Sequence, residues 1–379
     1  MQKVLITGGA GFIGSHLTKI LCAKGYSVII LDNLSPQIHG DSAQAPKWID
    51  ELNVKFHNGC ITQRADIEIA LENVDIIVHL AAETGTGQSM YEIERYNQVN
   101  SQGTALLLDI IANSENHNIK QILLASSRSV YGEGAYSCPS CADNIRQCPD
   151  SRTPEALANE LWDPLCEGCE APLIPLSTNE NDAIKPASIY AATKFAQEQL
   201  ISVFCESQGI GYGILRLQNV YGEGQSLNNP YTGILSIFST RIRRDLDLPI
   251  FEDGNETRDF VHVEDVANAF VATIETKKSP NTIMNVGTTE LTTVVDIATK
   301  LTVAFGKTPS IKVTGQYRIG DIRHNRADIT RLGKIINYQP TVTLEQGLGR
   351  FVDWVNEQPL PEDKLDKANA ELKSKNLMF

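Results

Sequence analysis

Short apolar runs separated by amphipathic stretches recur along the first 220 residues of the chain. Between the runs, apolar residues return at helical spacing, most clearly over 91–116 and 188–208, which we predict to be helices. Strands that alternate with helices in this way are typical of an α/β fold with a parallel, doubly wound sheet, the Rossmann architecture. The runs, which are rich in β-branched residues and predict the strands, are 4–6, 27–31, 54–58, 75–80, 121–125 and 211–216.

The pattern loosens beyond residue 222 into shorter strands and helices, which predicts a smaller substrate lobe interleaved with the end of the first domain. The tail is charged and polar from residue 362 onward, so we expect a frayed helix or disorder there. The predicted organisation is a first domain over 1–215, interrupted by a cysteine-rich insertion at 133–185, then a lobe over 216–356 and a polar tail over 357–379.

The first predicted strand enters the first helix through a turn that contains three glycines. Gly8, Gly11 and Gly14 follow directly on the apolar run, and Asp32 closes the next run. Glycines at this spacing let the main chain bend and approach a pyrophosphate, which the helix N-terminus then faces. A carboxylate after the second strand accepts both hydroxyls of an adenosine ribose and repels a 2′-phosphate. The pattern therefore favours NAD over NADP as the cofactor.

Tyr190 and Lys194 are four residues apart, which places both on one face of a helix. A free tyrosine is only roughly 0.1% ionised at pH 7, and lowering its pKa from about 10 to about 7 takes some 4 kcal/mol, which a lysine and a nicotinamide cation would supply. Tyr190 would then act as a general base on a substrate hydroxyl. Ser127 follows the strand 121–125 and would hold the same oxygen. The alternatives are a structural Tyr–Lys pair and a serine that caps local main chain.

Four cysteines form two C-x2-C pairs inside the predicted insertion. Cys138 and Cys141 are separated by 24 residues from Cys166 and Cys169. Thiolates at this spacing take adjacent corners of a tetrahedron, so the two pairs predict one structural zinc site, with free or oxidised thiols as the alternative. The insertion is polar and proline-rich, and a metal would supply the stabilisation that a small core cannot. We therefore expect a zinc-stapled flap beside the substrate pocket.

The composition of the chain mainly excludes certain classes of partner. The chain has 379 residues, a net charge of −13 and a pI near 5.1, without a compensating basic stripe. Such a protein is not expected to bind nucleic acid or a membrane surface. Its apolar runs are shorter than the roughly 20 residues of a membrane span, so we expect a cytoplasmic protein. In that reducing compartment its eight cysteines are expected to be free, metal-bound or catalytic.

In this order, the motifs resemble the extended short-chain dehydrogenase/reductase family, and within it the nucleotide-sugar epimerases. The resemblance covers about residues 2–356. The residues that carry it are the glycine turn with Asp32, then His79-Leu80-Ala81-Ala82, Asn100, Ser127, Tyr190 with Lys194, Arg216 with Asn219, and 258–263.

The resemblance implies an NAD-dependent isomerase that oxidises a nucleotide-diphosphate sugar transiently at C4 and returns the hydride to either face. It also implies a homodimer and a catalytic set of Ser127, Tyr190 and Lys194. The implied cofactor-binding residues are Gly8, Gly11, Phe12, Ile13, Gly14, Asp32, Asn33, Leu80, Ala81, Ala82, Asn100, Tyr190 and Lys194. The implied substrate-binding residues are Glu83, Ser127, Arg128, Asn219, Arg258, Arg318 and Asp321, the last three at positions that hold the diphosphate and the nucleoside ribose.

Two positions depart from the family's pattern. Members that eliminate water or carbon dioxide usually carry an acidic residue before Val-Tyr-Gly, where this chain has Arg128 and Ser129, which argues against a 4,6-dehydratase or a decarboxylase. Cys60 stands where the family usually has an aspartate that touches adenine.

The cysteine insertion, together with 83–90 and 320–324, resembles the branch of dTDP-L-rhamnose 4-epimerases. The competing hypotheses are an NAD-dependent nucleotide-sugar reductase or dehydrogenase and a non-catalytic NAD-binding scaffold. The nucleotide and the sugar of the substrate depend on the shape of the pocket, which the sequence does not give.

Overall fold

The computed structural model of the chain describes residues 2–40, 44–115, 117–141, 145–231, 233–276 and 281–379. Its strands are β1 (Lys3–Thr7), β2 (Ser27–Asp32), β3 (Lys55–Asn58), β4 (Ile76–His79), β5 (Gln121–Ser127), β6 (Tyr136–Ser137), β7 (Arg146–Gln147), β8 (Ile174–Pro175), β9 (Gly211–Leu217), β10 (Asn219–Tyr221), β11 (Leu248–Ile250), β12 (Thr257–Arg258), β13 (Phe260–His262), β14 (Thr282–Val286), β15 (Thr292–Thr293) and β16 (Ile311–Val313).

Its helices alternate with these strands over most of the chain. They are α1 (Phe12–Ala23), α2 (Pro36–His39), α3 (Trp48–Glu51), α4 (Arg64–Ala70), α5 (Thr86–Ser89), α6 (Ile93–Tyr96), α7 (Gly103–Ala112), α8 (Pro154–Ala158), α9 (Ile189–Gln208), α10 (Ile234–Arg243), α11 (Val263–Glu275), α12 (Val294–Ala304), α13 (Thr330–Ile336), α14 (Leu344–Glu357) and α15 (Leu365–Ser374).

The central sheet has seven parallel strands in the order β14-β9-β5-β4-β1-β2-β3. Strands that are covered on both faces need apolar side chains at successive positions, which explains why the sequence runs were continuous rather than alternating. The parallel, doubly wound sheet is confirmed, and each predicted strand lies within two residues of its observed bounds. The seventh strand, β14, was not predicted.

Helices cover both faces of this sheet. On one face, Leu17 of α1 and Phe270 of α11 pack with Val4 of β1, and on the other, Leu107 of α7 and Ile201 of α9 pack with residues that include Leu5. Neighbouring residues of one strand thus enter two different cores, as the period of a β-strand requires.

Of the two long predicted helices, one is continuous and the other is interrupted. Helix α9 begins after Ser188, whose hydroxyl accepts from the Ala191 N–H, and ends at Gly209 in the left-handed conformation. The helix predicted over 91–116 is divided into α6, a π-helical stretch (Asn97–Gln102) and α7, and its predicted last residue, Asn116, lies outside the described residues.

Residues after β9 build a further apolar core, separate from the two on the faces of the sheet. Phe238 of α10, Leu301 of α12 and Phe351 of α14 are buried in it. The chain returns to the central sheet in between, because α11 and β14 belong to the sheet and its covering layer. Between β5 and α9, the short strands β6, β7 and β8 form a three-stranded sheet.

The C-terminal tail differs from the expectation of fraying or disorder. Helix α15 buries Leu365, Ala368 and Leu372, and the last residues then pair with the main chain of Tyr317, whose N–H and carbonyl both bond Phe379 at 3.0 Å. Apolar residues at spacings of three and four give this helix one buried face, although most of its side chains are polar. Over the described ranges, the helices include none that is long and apolar enough to cross a membrane.

Candidate active site

A cleft of about 500 Å³ opens at the carboxyl ends of the sheet strands. Ligands of open α/β sheets bind at this edge, because the loops that leave the parallel strands converge there. The predicted residues that line it are Gly8, Gly11, Phe12, Ile13, Gly14, Asp32, Asn33, Leu80, Ala81, Ala82, Glu83, Ser127, Arg128, Tyr190, Lys194 and Asn219.

The turn after β1 and the first turn of α1 leave no room for a side chain at Gly8 and Gly14. Gly8 has a φ of 69°, and a Cβ there would lie 2.8 Å from the Ala81 nitrogen. A Cβ on Gly14 would lie 2.6 Å from the main chain of Gly9, so the close approach is between α1 and the turn that leaves the strand. Gly11 precedes α1 without a capping side chain, which leaves the first N–H groups of the helix available to a phosphate. This turn fits the pyrophosphate of a dinucleotide.

Asp32 is held rigidly at the end of β2. One carboxylate oxygen accepts from the Ala10 N–H at 3.0 Å, the other accepts from the Leu34 N–H at 2.9 Å, and the residue is only 8% exposed. His39, which the sequence did not single out, places its Nε2 3.8 Å from Asp32 Oδ1 at the same end of the cleft. Cys60 lines this end as well, and its N–H donates to Asp66.

Ser127, Tyr190 and Lys194 come together from β5 and the first two turns of α9. The Tyr190 N–H donates to Ser89 Oγ at 3.0 Å, and its ring meets that of Tyr96 edge-on at 6.5 Å. Burial raises the pKa of Tyr190, while hydrogen bonding by Ser127 and the positive charge of Arg128 act in the opposite direction. Burial also lowers the pKa of Lys194 to about 7. Burial therefore penalises both the phenolate and the ammonium, and the positive charge that acts on Tyr190 is that of Arg128.

A buried polar relay lies behind Lys194. Its ammonium donates to Gln197 at 2.8 Å, and Gln197 in turn donates to Thr104 at 2.7 Å and lies 3.2 Å from His79 Nε2. Burial lowers the pKa of His79 to about 3, so this ring is neutral. Sequence reasoning missed Gln197, although its place one turn after Lys194 on the same helix was a signal for it.

Polar atoms without partners lie at the other end of the cleft and just beyond it. Arg128 Nη1, Asn219 Oδ1 and Arg318 Nε are buried, and none has a hydrogen-bond partner among the described residues. Burial and the charge of Arg258 lower the pKa of Arg128 to about 9, while Asp321 acts in the opposite direction. The Arg318 guanidinium lies 4.5 Å from the Phe251 ring centroid. Because buried donors need partners, this cationic end is suited to an anionic, polar ligand.

Four predicted site residues do not line the cleft itself. Arg258, Arg318 and Asp321 lie beyond its lining. Asn100 lies behind it, fully buried, where its amide bonds both main-chain groups of Glu83 and the Thr193 hydroxyl. Its position therefore supports the loop after β4 and the start of α9.

The sulfur atoms of the four cysteines at 138, 141, 166 and 169 all lie within 4.8 Å of one another. Cys138 Sγ is 3.4 Å from Cys169 Sγ, and Cys141 Sγ is 3.8 Å from Cys166 Sγ. A tetrahedron with Zn–S bonds of about 2.3 Å requires S–S distances of about 3.8 Å, whereas a disulfide requires about 2.05 Å. The described residues of the insertion do not line the cleft.

Comparisons with known proteins agree with this geometry. The model of the NAD dependent epimerase/dehydratase family matches residues 4–154 and 168–287. The dTDP-L-rhamnose 4-epimerase of Burkholderia thailandensis is 36% identical over 357 residues, which span 94% of this chain and 96% of that protein. The UDP-glucuronic acid 4-epimerase of Bacillus cereus, in complex with UDP-glucuronic acid and NAD, superposes with a TM-score of 0.75 at 26% identity, over 94% of this chain and 99% of the other. The UDP-glucose 4-epimerase of Thermotoga maritima, with UDP-glucose, gives a TM-score of 0.73 at 28% identity with the same coverage.

Proposed function

Because the chain belongs to the NAD dependent epimerase/dehydratase family, we propose that it is an NAD-dependent nucleotide-sugar 4-epimerase. The observation that carries this function is the meeting of Ser127, Tyr190 and Lys194 beside the glycine turn of β1 in one cleft. The cationic residues at its other end supply the charge that a diphosphate requires, in a protein whose net charge is −13.

The residues divide the reaction between them. Tyr190 takes the proton of the C4 hydroxyl, and Ser127 hydrogen-bonds the same oxygen. Lys194 stabilises the phenolate by its charge, and Gln197 holds the amine from behind. NAD, which the glycine turn and Asp32 would hold, would supply a reversible acceptor for the C4 hydride. Tyr190 then gives the proton back, after the sugar has turned its other face, so that no net oxidation occurs.

We place the cofactor and the substrate at opposite ends of the cleft. Asp32 and Asn33 would bind the adenosine ribose, while the loop 80–83 and Lys194 would lie against the nicotinamide half. Arg128, Asn219 and the more distant Arg258, Arg318 and Asp321 would bind the nucleoside diphosphate. Residues 1–215 then form the cofactor domain and 216–356 most of the substrate lobe, with β14 returning to the sheet of the first domain.

The experiment that tests this function is turnover of nucleotide sugars without added cofactor. Purified protein is incubated with dTDP-, UDP- and GDP-linked sugars, and the C4 configuration is read by NMR. We expect conversion with dTDP-L-rhamnose, since the relative from Burkholderia thailandensis carries that activity in its name and spans nearly the whole chain. Conversion that occurs only after NADH or NAD is added, and that consumes it in proportion to product, would instead favour the reductase or dehydrogenase hypothesis.

We further propose that Cys138, Cys141, Cys166 and Cys169 hold one structural zinc ion per chain. The sulfur–sulfur distances fit a tetrahedron, and four thiolates leave no open position for a substrate. Cys148 lies outside the cluster, and its carbonyl accepts from Lys185 instead. Metal analysis of protein purified without chelators tests the site. One zinc per chain that is lost in Cys141→Ser is expected, and four freely titrating thiols without metal would contradict it.

We also propose a homodimer that forms through α9. Leu200 and Val203 on this helix are 37% and 65% exposed, and Ile93 on the adjacent α6 is 51% exposed. Exposed apolar side chains on neighbouring helices are typical of a surface that a second copy covers.

A further inference from the structure

Two of the side chains that we assign to the nucleotide, Arg318 and Asp321, stand on a segment without regular secondary structure. This segment, residues 317–324, contains only isolated bridges and a turn, and we call it the anchor segment. Its conformation therefore depends on what packs against it. The C-terminal residues pair with one side, where Asn369 accepts from Arg318 at 3.1 Å. The cysteine insertion contacts the other side.

Arg152 is the contact through which the insertion holds the anchor segment. Its Nη2 donates to the main-chain carbonyl of Asp321 at 3.0 Å. The rest of the guanidinium is saturated: Nε donates to Glu133 at 3.1 Å, and Nη1 donates to Glu252 at 2.9 Å and to the Trp162 carbonyl at 3.0 Å. The side chain is 3% exposed. A buried guanidinium remains charged only when hydrogen-bonded partners of opposite charge surround it, and these partners also fix its geometry.

A second arginine extends the same network from within the anchor segment. Arg323 donates to Asp163 of the insertion at 2.8 Å and to Glu252 at 3.0 Å. Its N–H donates to Glu133 Oε2 at 2.8 Å. Glu133 and Glu252 are therefore shared by both arginines, which ties the insertion, the segment after β11 and the anchor segment into one buried ionic unit.

The cysteine cluster brackets the part of the insertion that carries these contacts. Arg152 lies between the two cysteine pairs, and Asp163 lies three residues before Cys166. Cys138 and Cys166 share a small buried core with Tyr136 and Leu173. Closing this loop at the four sulfurs reduces the freedom of the residues between them, so that Arg152 is presented in one geometry.

We propose that Arg152 is a positioning residue for nucleotide binding: it fixes Asp321 through the main chain, and the cysteine-clustered insertion serves to hold it there. The inference rests on the proposed function for the identity of the ligand. The hydrogen bonds of Arg152 go to Glu133, Trp162, Glu252 and Asp321, and none involves Ser127, Tyr190 or Lys194. Its loss therefore acts on the affinity for the nucleotide rather than on the chemical step.

The test compares Arg152→Met with Arg146→Met, which removes an arginine of the same insertion that pairs with Asp182 and not with the anchor segment. We expect Arg152→Met to raise KM for the nucleotide sugar about tenfold to a hundredfold, the range of one charge-assisted hydrogen bond, with kcat little changed. Arg146→Met is expected to leave both constants unchanged. Equal effects of the two variants, or a fall in kcat with KM unchanged, would overturn the inference.

Calorimetric titration with dTDP and UDP gives a readout that does not need turnover. Weaker binding of dTDP and UDP to Arg152→Met, with the same NAD content, supports the inference. This holds even if no nucleotide sugar in the panel is converted and the proposed function is wrong. Unchanged dTDP and UDP affinity refutes it while the epimerase assignment stands. If Arg152→Met does not fold, Arg152→Lys takes its place, since it keeps the charge but loses the forked geometry, and wild-type affinity in that variant counts against the inference.

A double variant connects Arg152 to the cysteines. If Cys141→Ser acts by releasing Arg152, adding it to Arg152→Met should weaken dTDP binding no further, because the contact is already lost. Additive losses would show that the cysteines act by another route and would overturn that half of the inference.

Discussion

The substitution Tyr190→Phe removes one oxygen atom from the cleft and leaves the packing of the side chain in place. The ring keeps its edge-on contact with Tyr96, and the main-chain N–H keeps its bond to Ser89. Helix α9 keeps its cap at Ser188. None of these interactions uses the phenol oxygen, so the fold and the NAD content are expected to be unchanged.

The magnitude of the loss follows from the role of the oxygen. A positioned general base contributes about 10² to 10⁴ in rate, or about 2.7 to 5.5 kcal/mol of activation free energy. Burial works against ionisation of Tyr190, so a neighbouring positive charge is needed to make it a base. We therefore expect kcat to fall by about 10² to 10⁴, with KM little changed, because the substrate still finds its diphosphate contacts.

The assay is the rate of C4 inversion by NMR on protein whose NAD content is measured after denaturation. Tyr212→Phe is the matched control, because that tyrosine bonds Glu206 and lies outside the cleft lining. If Tyr190→Phe retained more than about a tenth of the wild-type kcat, Tyr190 would not be the base, because the loss would be smaller than the roughly hundredfold minimum expected of a general base.

Three further perturbations address the cofactor, the lysine and the assembly. Asp32→Ala should weaken NAD binding about tenfold to a hundredfold, since a carboxylate that accepts hydrogen bonds is lost. An unchanged NAD affinity in a binding titration, or a preference of the wild-type protein for NADP, would contradict the role of Asp32. Lys194→Met should stabilise the NAD-free protein at pH 6, because a lysine whose pKa is lowered to about 7 on folding destabilises the native state most below that pH. The gain in melting temperature should shrink as the pH rises from 7 towards 10. A gain that is independent of pH would show that burial does not lower the pKa of Lys194. Val203→Glu should yield monomers in size-exclusion chromatography with light scattering, whereas an unchanged dimer would exclude α9 from the interface.

How much of the fold could be predicted depended on how local its signal was. Strands β1, β2 and β5 are buried on both faces, so each leaves an unbroken apolar run, and the glycine turn and Asp32 carry their chemistry within a few residues. Strand β14 was missed because its sequence, Thr-Ile-Met-Asn-Val, mixes polar with apolar residues and lies among elements of the other lobe. Helix α15 was missed because its three buried side chains stand among polar ones.

In the candidate site, too, the sequence indicated contacts between residues that are close in the chain and missed contacts between distant ones. Tyr190 and Lys194 share one helix, so their meeting could be foreseen. The contact of Arg152 with Asp321 joins positions 169 residues apart, and no local pattern announces it. Asn100 was expected at the cofactor because of its place in the motif, yet the π-helical stretch turns it toward Glu83 and Thr193.

Strand β14 is the last strand of the central sheet in chain order, and it pairs with β9 to become the edge strand on that side. Until it emerges, the main-chain groups of Gly211–Leu217 on that side are open to pairing with another nascent chain. About 65 residues separate the two strands, which takes about 3 to 13 s at the usual speed of synthesis. A fragment that ends near residue 217 should aggregate rather than fold as a separate cofactor domain.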